Sequence, residues 1–122
     1  MSTAGVHFRA LGHLPAGQMN KTESAHHANL HLLMKAGEVI WFGFQVQKLF
    51  IGSTPYGRQM WYSPDFLVQL KDRTLEIHEV KGAYITEDSA VKLVAAARLY
   101  PQFRFVRYQL TKAGWERKEI CG

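Results

Sequence analysis

Apolar residues recur at intervals of three and four after Asn20, at Ala25, Ala28, Leu32, Leu33 and Ala36. This spacing predicts an amphipathic helix of about four turns. Asn20 or Thr22 can cap its start, and Gly37 can end it. Residues 1–19 mix Gly, Ala, His and Pro without a period, so we predict an irregular N-terminal arm there.

The pattern changes to alternation after this helix. Residues 38–51 are rich in aromatic and β-branched side chains and alternate through Phe42, Phe44 and Val46, which predicts a half-buried strand. Turn-forming residues follow, and we predict two further strands over 58–70 and 74–82, so that the three strands form a meander. Pro64 lacks a backbone N–H and marks an edge, a bulge or a break within the second strand.

The last third of the chain predicts a second helix and one or two strands. Residues 87–100 have helical composition and end before Pro101, and short strands are predicted over 103–110 and 115–120. The whole order is helix, three strands, helix and a final strand or two, which indicates an α/β fold. We expect a single domain over residues 20–122, because one core of ordinary domain size uses all of this length.

The composition and net charge of the chain indicate which kinds of partner and which cellular location to expect. Hydrophobic residues make up 47% and charged residues 20%, as in ordinary globular domains, and the net charge of +5 favours a polyanionic partner such as DNA. Cys121 is the only cysteine, so no intrachain disulfide can form, and we expect a reducing cytoplasmic location. No stretch has the ~18 apolar residues of a membrane span, and we expect no membrane association.

Charged residues interrupt the core-facing side of the third predicted strand. Leu75 and Ile77 share one face with Glu79 and Lys81, because side chains two apart on a strand point the same way. An antiparallel reversal at residues 71–73 brings Asp65 beside Glu79. Two adjacent carboxylates repel each other unless a cation lies between them, and oxygen ligands suit Mg²⁺. The pattern therefore indicates a metal site with a lysine beside it.

Each half of this pattern also has an ordinary explanation. A Glu-x-Lys pair on a strand is commonly a surface ion pair, and Pro-Asp is a frequent turn dipeptide. The predicted strand, reversal and strand bring the two halves to one place, which favours the catalytic interpretation.

The segments YSPDFLV at 62–68 and EIHEVKG at 76–82 resemble the PD-(D/E)XK nuclease superfamily. The resemblance implies a restriction-endonuclease-like αβββαβ core, a mixed sheet flanked by two helices. With residues 19–51 and 90–106, which include NKTE at 20–23, the chain is similar to small phage and prophage endonucleases related to Holliday junction resolvases.

This resemblance implies roles for individual residues. Asp65 and Glu79 would be ligands of Mg²⁺, for which Mn²⁺ substitutes, with the carbonyl of Val80 as a further ligand. Lys81 would be the catalytic lysine, and Glu23 a fourth catalytic residue and metal ligand. Asn20 and Glu23 also have the spacing of a capping box, so Glu23 could instead only close the start of the helix.

Contacts to DNA are expected from Lys21, His27, Lys92 and Arg98. Lys92 could equally belong to a solvated helix face. His27 and His31 have the i, i+4 spacing of zinc ligands, but the sequence offers no clear third ligand and no HExxH motif, so we expect His27 to flank the cleft instead.

The function that these features imply is that of a Mg²⁺-dependent DNA endonuclease that hydrolyses phosphodiester bonds. By the same resemblance we expect selectivity for branched DNA such as Holliday junctions, a homodimer, and a role in phage recombination or DNA processing in the bacterial cytoplasm. The alternative is a non-catalytic nucleic-acid-binding or host-interaction protein that retains the nuclease fold.

Overall fold

The structure is a computed structural model that describes residues 17–122, so most of the predicted N-terminal arm lies outside the described residues. The helices and strands, in chain order, are α1 Lys21–Lys35, β1 Val39–Phe44, β2 Leu49–Ser53, β3 Gln59–Tyr62, β4 Phe66–Leu70, β5 Leu75–Lys81, α2 Glu87–Leu99, β6 Arg104–Thr111 and β7 Gly114–Ile120. Neither helix is long and apolar enough to cross a membrane.

Five strands form one mixed sheet in the order β1-β4-β5-β6-β7. β4 pairs antiparallel with β1 and β5, whereas β5 and β6 run parallel because α2 connects them. β7 returns antiparallel to β6. The order α1, β1, β4, β5, α2, β6 confirms the predicted αβββαβ core with its mixed sheet and two helices.

The prediction of three continuous strands was wrong, because the first two are each broken. Gln45 has a φ of 52° just after β1, and Pro64 lies in the gap between β3 and β4. The two breaks are joined, since the Gln45 N–H donates to the Asp65 carbonyl at 2.8 Å. The chain between them forms a separate antiparallel hairpin of β2 and β3.

The two faces of the sheet carry two hydrophobic clusters. The cluster on the α2 face comprises Leu49, Tyr62, Ile77, Leu93, Ala96, Ala97 and Phe105. The cluster on the α1 face comprises Leu30, Val39, Phe66, Val68 and Val80. Because β5 contributes Ile77 to one cluster and Val80 to the other, Glu79 leaves β5 on the same face as Ile77, beneath α2 and the hairpin.

The predicted start of α1 is confirmed, but its predicted apolar face is not the buried one. Asn20 caps the helix, as the sequence indicated. Leu32 and Leu33 are 65% and 41% exposed, whereas the helix residues that are buried are His26 and Leu30. The spacing of the apolar residues misidentified the face, because a histidine takes one of the core positions.

His26 belongs to a buried polar network on the α1 face. Its Nε2 lies 3.0 Å from Nδ1 of His78, whose Nε2 lies 2.8 Å from Glu76. Arg104 and Arg117 lie 3.0 and 3.6 Å from the other oxygen of Glu76. Each hydrogen bond has a donor and an acceptor if both rings are neutral, with the Nε2–H of His26 donating to Nδ1 of His78 and the Nε2–H of His78 donating to Glu76. Burial and the neighbouring His78 lower the pKa of His26 to about 3, which agrees with a neutral ring.

We expect Glu76→Ala to lower the free energy of unfolding by about 2–3 kcal/mol, because it leaves the buried Nε2–H of His78 without an acceptor. Glu119→Ala is the matched control, since Glu119 also contacts Arg104, at 3.6 Å, but is exposed. Its effect should stay below about 1 kcal/mol. Urea unfolding of both variants at pH 7 measures the difference, and equal losses would contradict the buried network.

Candidate active site

The end of β5 and the start of β4 bring two carboxylates together. Phe66 pairs with His78, so the residues just beyond this pair, Asp65 and Glu79, stand opposite each other. Asp65 Oδ2 accepts a hydrogen bond from the Val80 N–H at 2.8 Å. The backbone of β5 thereby holds the Asp65 side chain beside Glu79, the proximity that the sequence predicted.

Glu79 is only 6% exposed, and both of its oxygens have partners. The Tyr62 hydroxyl donates to Oε1, and Lys81 Nζ lies 3.0 Å from Oε2. The Lys81 side chain is 25% exposed. The Glu-x-Lys pair is therefore not the solvated surface pair that was the ordinary explanation for this motif.

The electrostatics of the site favour an added positive charge. Burial first, then the nearby charge of Glu79 and to a smaller extent that of Glu23, raise the pKa of Asp65 to about 8. The hydrogen bond from Val80 and the charge of Lys81 oppose this shift without cancelling it. When the part-buried Asp65 and the buried Glu79 are both ionised, they therefore carry more negative charge than Lys81 and the surrounding groups neutralise.

Tyr62 is a component of the site that the sequence did not indicate. Burial and the charge of Glu79 raise the pKa of its hydroxyl, so the hydroxyl remains protonated and donates to Glu79. The break at Pro64 separates Tyr62 from β4, so strand alternation along the predicted continuous strand could not place it. Its ring packs with Leu49 and Ile77, which links the hairpin to the site.

Glu23 forms the capping box that was its alternative role. Its N–H donates to the Asn20 side chain at 2.8 Å, and its Oε1 accepts from the Asn20 N–H at 2.9 Å. The start of α1 nevertheless lies beside the end of β5. Gly82 directly follows β5, and Thr22 Oγ1 is 3.7 Å from the position that a Cβ on Gly82 would occupy. Glu23 thus lies near enough to Asp65 for its charge to act there while its carboxylate caps the helix.

A cleft of about 280 Å³ opens on Glu79 between the hairpin and the first turns of α2. Its lining residues are Trp61, Tyr62, Ser63, Glu79, Asp88, Ser89 and Lys92. Lys92 lies 3.5 Å from Asp88 and is partly exposed. The cleft therefore brings Lys92, predicted to contact DNA, to the same opening as Glu79.

The other three predicted DNA contacts lie elsewhere on the helices. The His27 ring packs against His31 and Phe42, with centroids 4.6 and 5.3 Å away. Lys21 is exposed at the first position of α1, beside the end of β5. Arg98 occupies the last turn of α2 and does not line the cleft on Glu79. The structure therefore brings Lys92 to the cleft that opens on Glu79 and leaves Arg98 at the opposite end of the helix.

The basic residues of the C-terminal strands divide between the two faces of the sheet. Two arginines are bound to Glu76 in the buried network, whereas Arg107 pairs in register with Glu79 on one side and with Lys118 on the other. One transverse row of the sheet thus reads Asp65, Glu79, Arg107 and Lys118. Acidic residues occupy one half of this row and basic residues the other.

The oxygen donors at this site suit a hard divalent cation. Asp65 and Glu79 supply carboxylates, and the surplus negative charge described above is what a cation would relieve. Within residues 17–122, no three His, Cys, Asp or Glu side chains are already grouped as a metal site. The chemistry of the residues therefore fits Mg²⁺, and binding would require Glu79 or Glu23 to exchange a present hydrogen bond for the metal.

We expect Asp65→Asn to stabilise the metal-free protein at pH 8 by about 2–4 kcal/mol, because it removes a buried charge and keeps an acceptor for Val80. The folded-state pKa of Asp65 is raised, so its contribution to stability is largest below pH 4 and is lost as the pH rises through 8. The advantage of the variant should shrink by up to about 1.4 kcal/mol for each pH unit below 8. Thermal unfolding in EDTA at pH 5–8 measures this, and a constant difference would refute the shift.

Comparisons with known proteins show the fold. No family model matches the chain, and no curated protein matches it. Among solved structures, it is similar to Hjc, a Holliday junction resolvase from the archaeal hyperthermophile Archaeoglobus fulgidus, with a TM-score of 0.52, 20% identity, and 82% of this chain and 73% of that chain covered. It is also similar to the crystal structure of SSO0001, with a TM-score of 0.52 and 12% identity over 80% of this chain. The chain spans 50% of the length of SSO0001. The described residues therefore share the fold of these two structures.

Proposed function

We propose that this protein is a Mg²⁺-dependent endodeoxyribonuclease that hydrolyses phosphodiester bonds in branched DNA. The observation that carries the proposal is the part-buried Asp65 beside the buried Glu79, with Lys81 at 3.0 Å from Glu79. A structural role alone does not account for placing a part-buried carboxylate beside a buried one, because their repulsion costs stability. Active sites are where such costs are commonly found.

Each residue of the site has a role in this proposal. Asp65 and Glu79 would hold Mg²⁺, together with the Val80 carbonyl and Glu23. When bound, Mg²⁺ supplies an activated water and stabilises the leaving oxygen. Lys81 orients the attacking water and neutralises charge that develops on the phosphate. Tyr62 fixes the orientation of Glu79 from the opposite side to Lys81.

Branched DNA is the proposed substrate for two reasons. The structurally similar Hjc is a Holliday junction resolvase, and a single small domain has little surface for reading a long base sequence. Cutting both strands of a junction needs two active sites, so we propose a homodimer. We further propose a phage or prophage origin and a role in recombination or DNA processing in the host cytoplasm, on the basis of the resemblance in sequence.

The test is a cleavage assay on a four-way junction, linear duplex, single-stranded DNA and RNA with Mg²⁺, Mn²⁺ or EDTA. We expect the junction to be cut fastest and only with metal, and Glu79→Gln and Lys81→Met to lower the rate by at least about 100-fold. Lys71→Met is the matched control, because Lys71 pairs with Glu38 at 3.1 Å on the surface. It should cut at the wild-type rate.

Three results would contradict the proposal in different ways. A wild-type protein that binds junctions but cuts nothing with either metal would be the non-catalytic nucleic-acid-binding alternative. Equal rates for Lys81→Met and Lys71→Met would remove Lys81 from the reaction. Equal cleavage of junction and duplex would leave a nuclease without the selectivity for branched DNA.

We expect Tyr62→Phe to lower kcat by about tenfold with little change in KM, because Glu79 loses the hydrogen bond that orients it. Tyr100→Phe is the matched control, since the Tyr100 hydroxyl donates to the Phe50 carbonyl at 2.8 Å and does not contact Glu79. It should leave kcat unchanged. Steady-state kinetics on the junction measures both variants, and a change confined to KM would assign Tyr62 to substrate binding instead.

A further inference from the structure

The outer face of the β2–β3 hairpin carries an exposed pair of aromatic residues. Leu49 pairs with Tyr62 and Phe50 with Trp61. Leu49 and Tyr62 point into the core, so strand alternation turns Phe50 and Trp61 outward, where they are 37% and 39% exposed. Their rings lie 5.3 Å apart in an edge-to-face arrangement. This leaves a rigid aromatic surface with solvent on one side.

Two further features distinguish this pair from an ordinary cross-strand contact. Lys48 Nζ lies 4.9 Å from the centroid of the Trp61 ring, so a cation accompanies the indole. Trp61 also lines the cleft that contains Glu79 and Lys92. The cleft therefore brings together an aromatic residue, one lysine and a predicted catalytic carboxylate, and a second lysine, Lys48, contacts the aromatic ring.

We propose that this cleft binds an unpaired nucleotide of the DNA substrate, with its base stacked on Trp61 and its phosphate at Lys92 and Ser89. The inference rests on the proposed nuclease function and identifies the part of the substrate that the cleft selects. Aromatic side chains with nearby cations are the usual means of holding single-stranded nucleic acid. Asp88 is the one acidic residue in the cleft besides Glu79, and Lys92 is 3.5 Å from it.

The dimensions of the cleft favour a single nucleotide over a duplex. Its volume of about 280 Å³ lies near the lower limit for small-molecule sites. A base inside a duplex is already stacked between its neighbours and must be unstacked before it can reach an aromatic residue. A base at a branch point is freed at less cost. Selectivity for branched DNA would then arise at the hairpin, beside the hydrolytic residues.

The positions of Trp61 and Tyr62 connect this platform to the reaction. They are adjacent on β3, and alternation turns one toward the solvent and the other toward Glu79. A nucleotide held on Trp61 would thus be placed at a fixed distance from the carboxylates. Base recognition and the orientation of Glu79 depend on the same short strand.

The binding test uses the full chain and a fluorescein-labelled oligothymidylate in EDTA, so that hydrolysis plays no part. We expect Trp61→Ala and Trp61→Leu each to weaken binding roughly 5- to 100-fold, since one stacked base is lost in either case. Trp61→Leu keeps an apolar side chain that supports the hairpin, so it tests the ring itself. Trp41→Ala is the matched control, because Trp41 is 44% exposed on β1. It should bind within about twofold of wild type.

Cleavage then separates failure of this inference from failure of the proposed function. We expect the Trp61 variants to cut junctions and flaps roughly 5- to 100-fold more slowly than wild type, whereas Trp41→Ala should cut them at the wild-type rate. Trp61→Leu that binds oligothymidylate as tightly as wild type would overturn the inference even if the protein is a nuclease. Trp61→Leu and Trp41→Ala that lose binding to the same extent would overturn it as well, because the loss would then not be specific to Trp61. A wild type without cleavage would overturn the proposed function, and the binding assay would still decide whether Trp61 stacks with a base.

Discussion

The hydrogen bond from the Val80 N–H to Asp65 Oδ2 is the contact on which the candidate site depends. A backbone N–H of β5 donates to the side chain of Asp65, just before β4, and this holds the Asp65 carboxylate next to Glu79. The raised pKa of Asp65 shows what this position costs, because burial and like charge act together. Without the bond, Asp65 could turn toward solvent and the two carboxylates would separate. The geometry that indicates catalysis is thus maintained against electrostatic repulsion.

β5 carries two polar systems on its two faces, and they differ in how fully they are satisfied. On the α1 face, Glu76 and His78 are bonded to each other and to surrounding groups from α1, β6 and β7. On the α2 face, Glu79 is held by Tyr62 and Lys81 while its negative charge still perturbs Asp65. The first system stabilises the sheet. The second leaves negative charge unneutralised when Asp65 is ionised.

The sequence predicted those parts of the fold that depend on local chemistry. Asn20 caps α1 and α2 ends just before Pro101, because capping and proline geometry act over a few residues. Strand alternation correctly placed Glu79 on the same face of β5 as Ile77, since that period needs no knowledge of distant residues. These rules were sufficient for the αβββαβ order and for bringing Asp65, Glu79 and Lys81 together.

The features that the sequence did not reveal depend on partners far along the chain. His26 can be buried because His78, 52 residues later, accepts its hydrogen bond. The spacing of apolar residues along the helix carries no information about such a polar pair. The contact of Tyr62 with Glu79 could not be predicted, because the chain breaks between β3 and β4 and the alternation of faces does not continue across the break. The separate hairpin was not predicted, because Gln45 ends β1 with a positive φ and glutamine rarely adopts that conformation.

The connection between the two strand breaks has a consequence for how such a protein can diversify. The hairpin leaves the sheet after Gln45 and returns at Asp65, and these two residues are hydrogen-bonded to each other across 2.8 Å. The segment between Gln45 and Asp65 therefore forms a loop whose two ends are hydrogen-bonded to each other, and its length does not set the pairing of β1 with β4. Residues can be added to or removed from its outer end without shifting Asp65 relative to Glu79. A lineage could thus change what the hairpin contacts while the two carboxylates stay where they are.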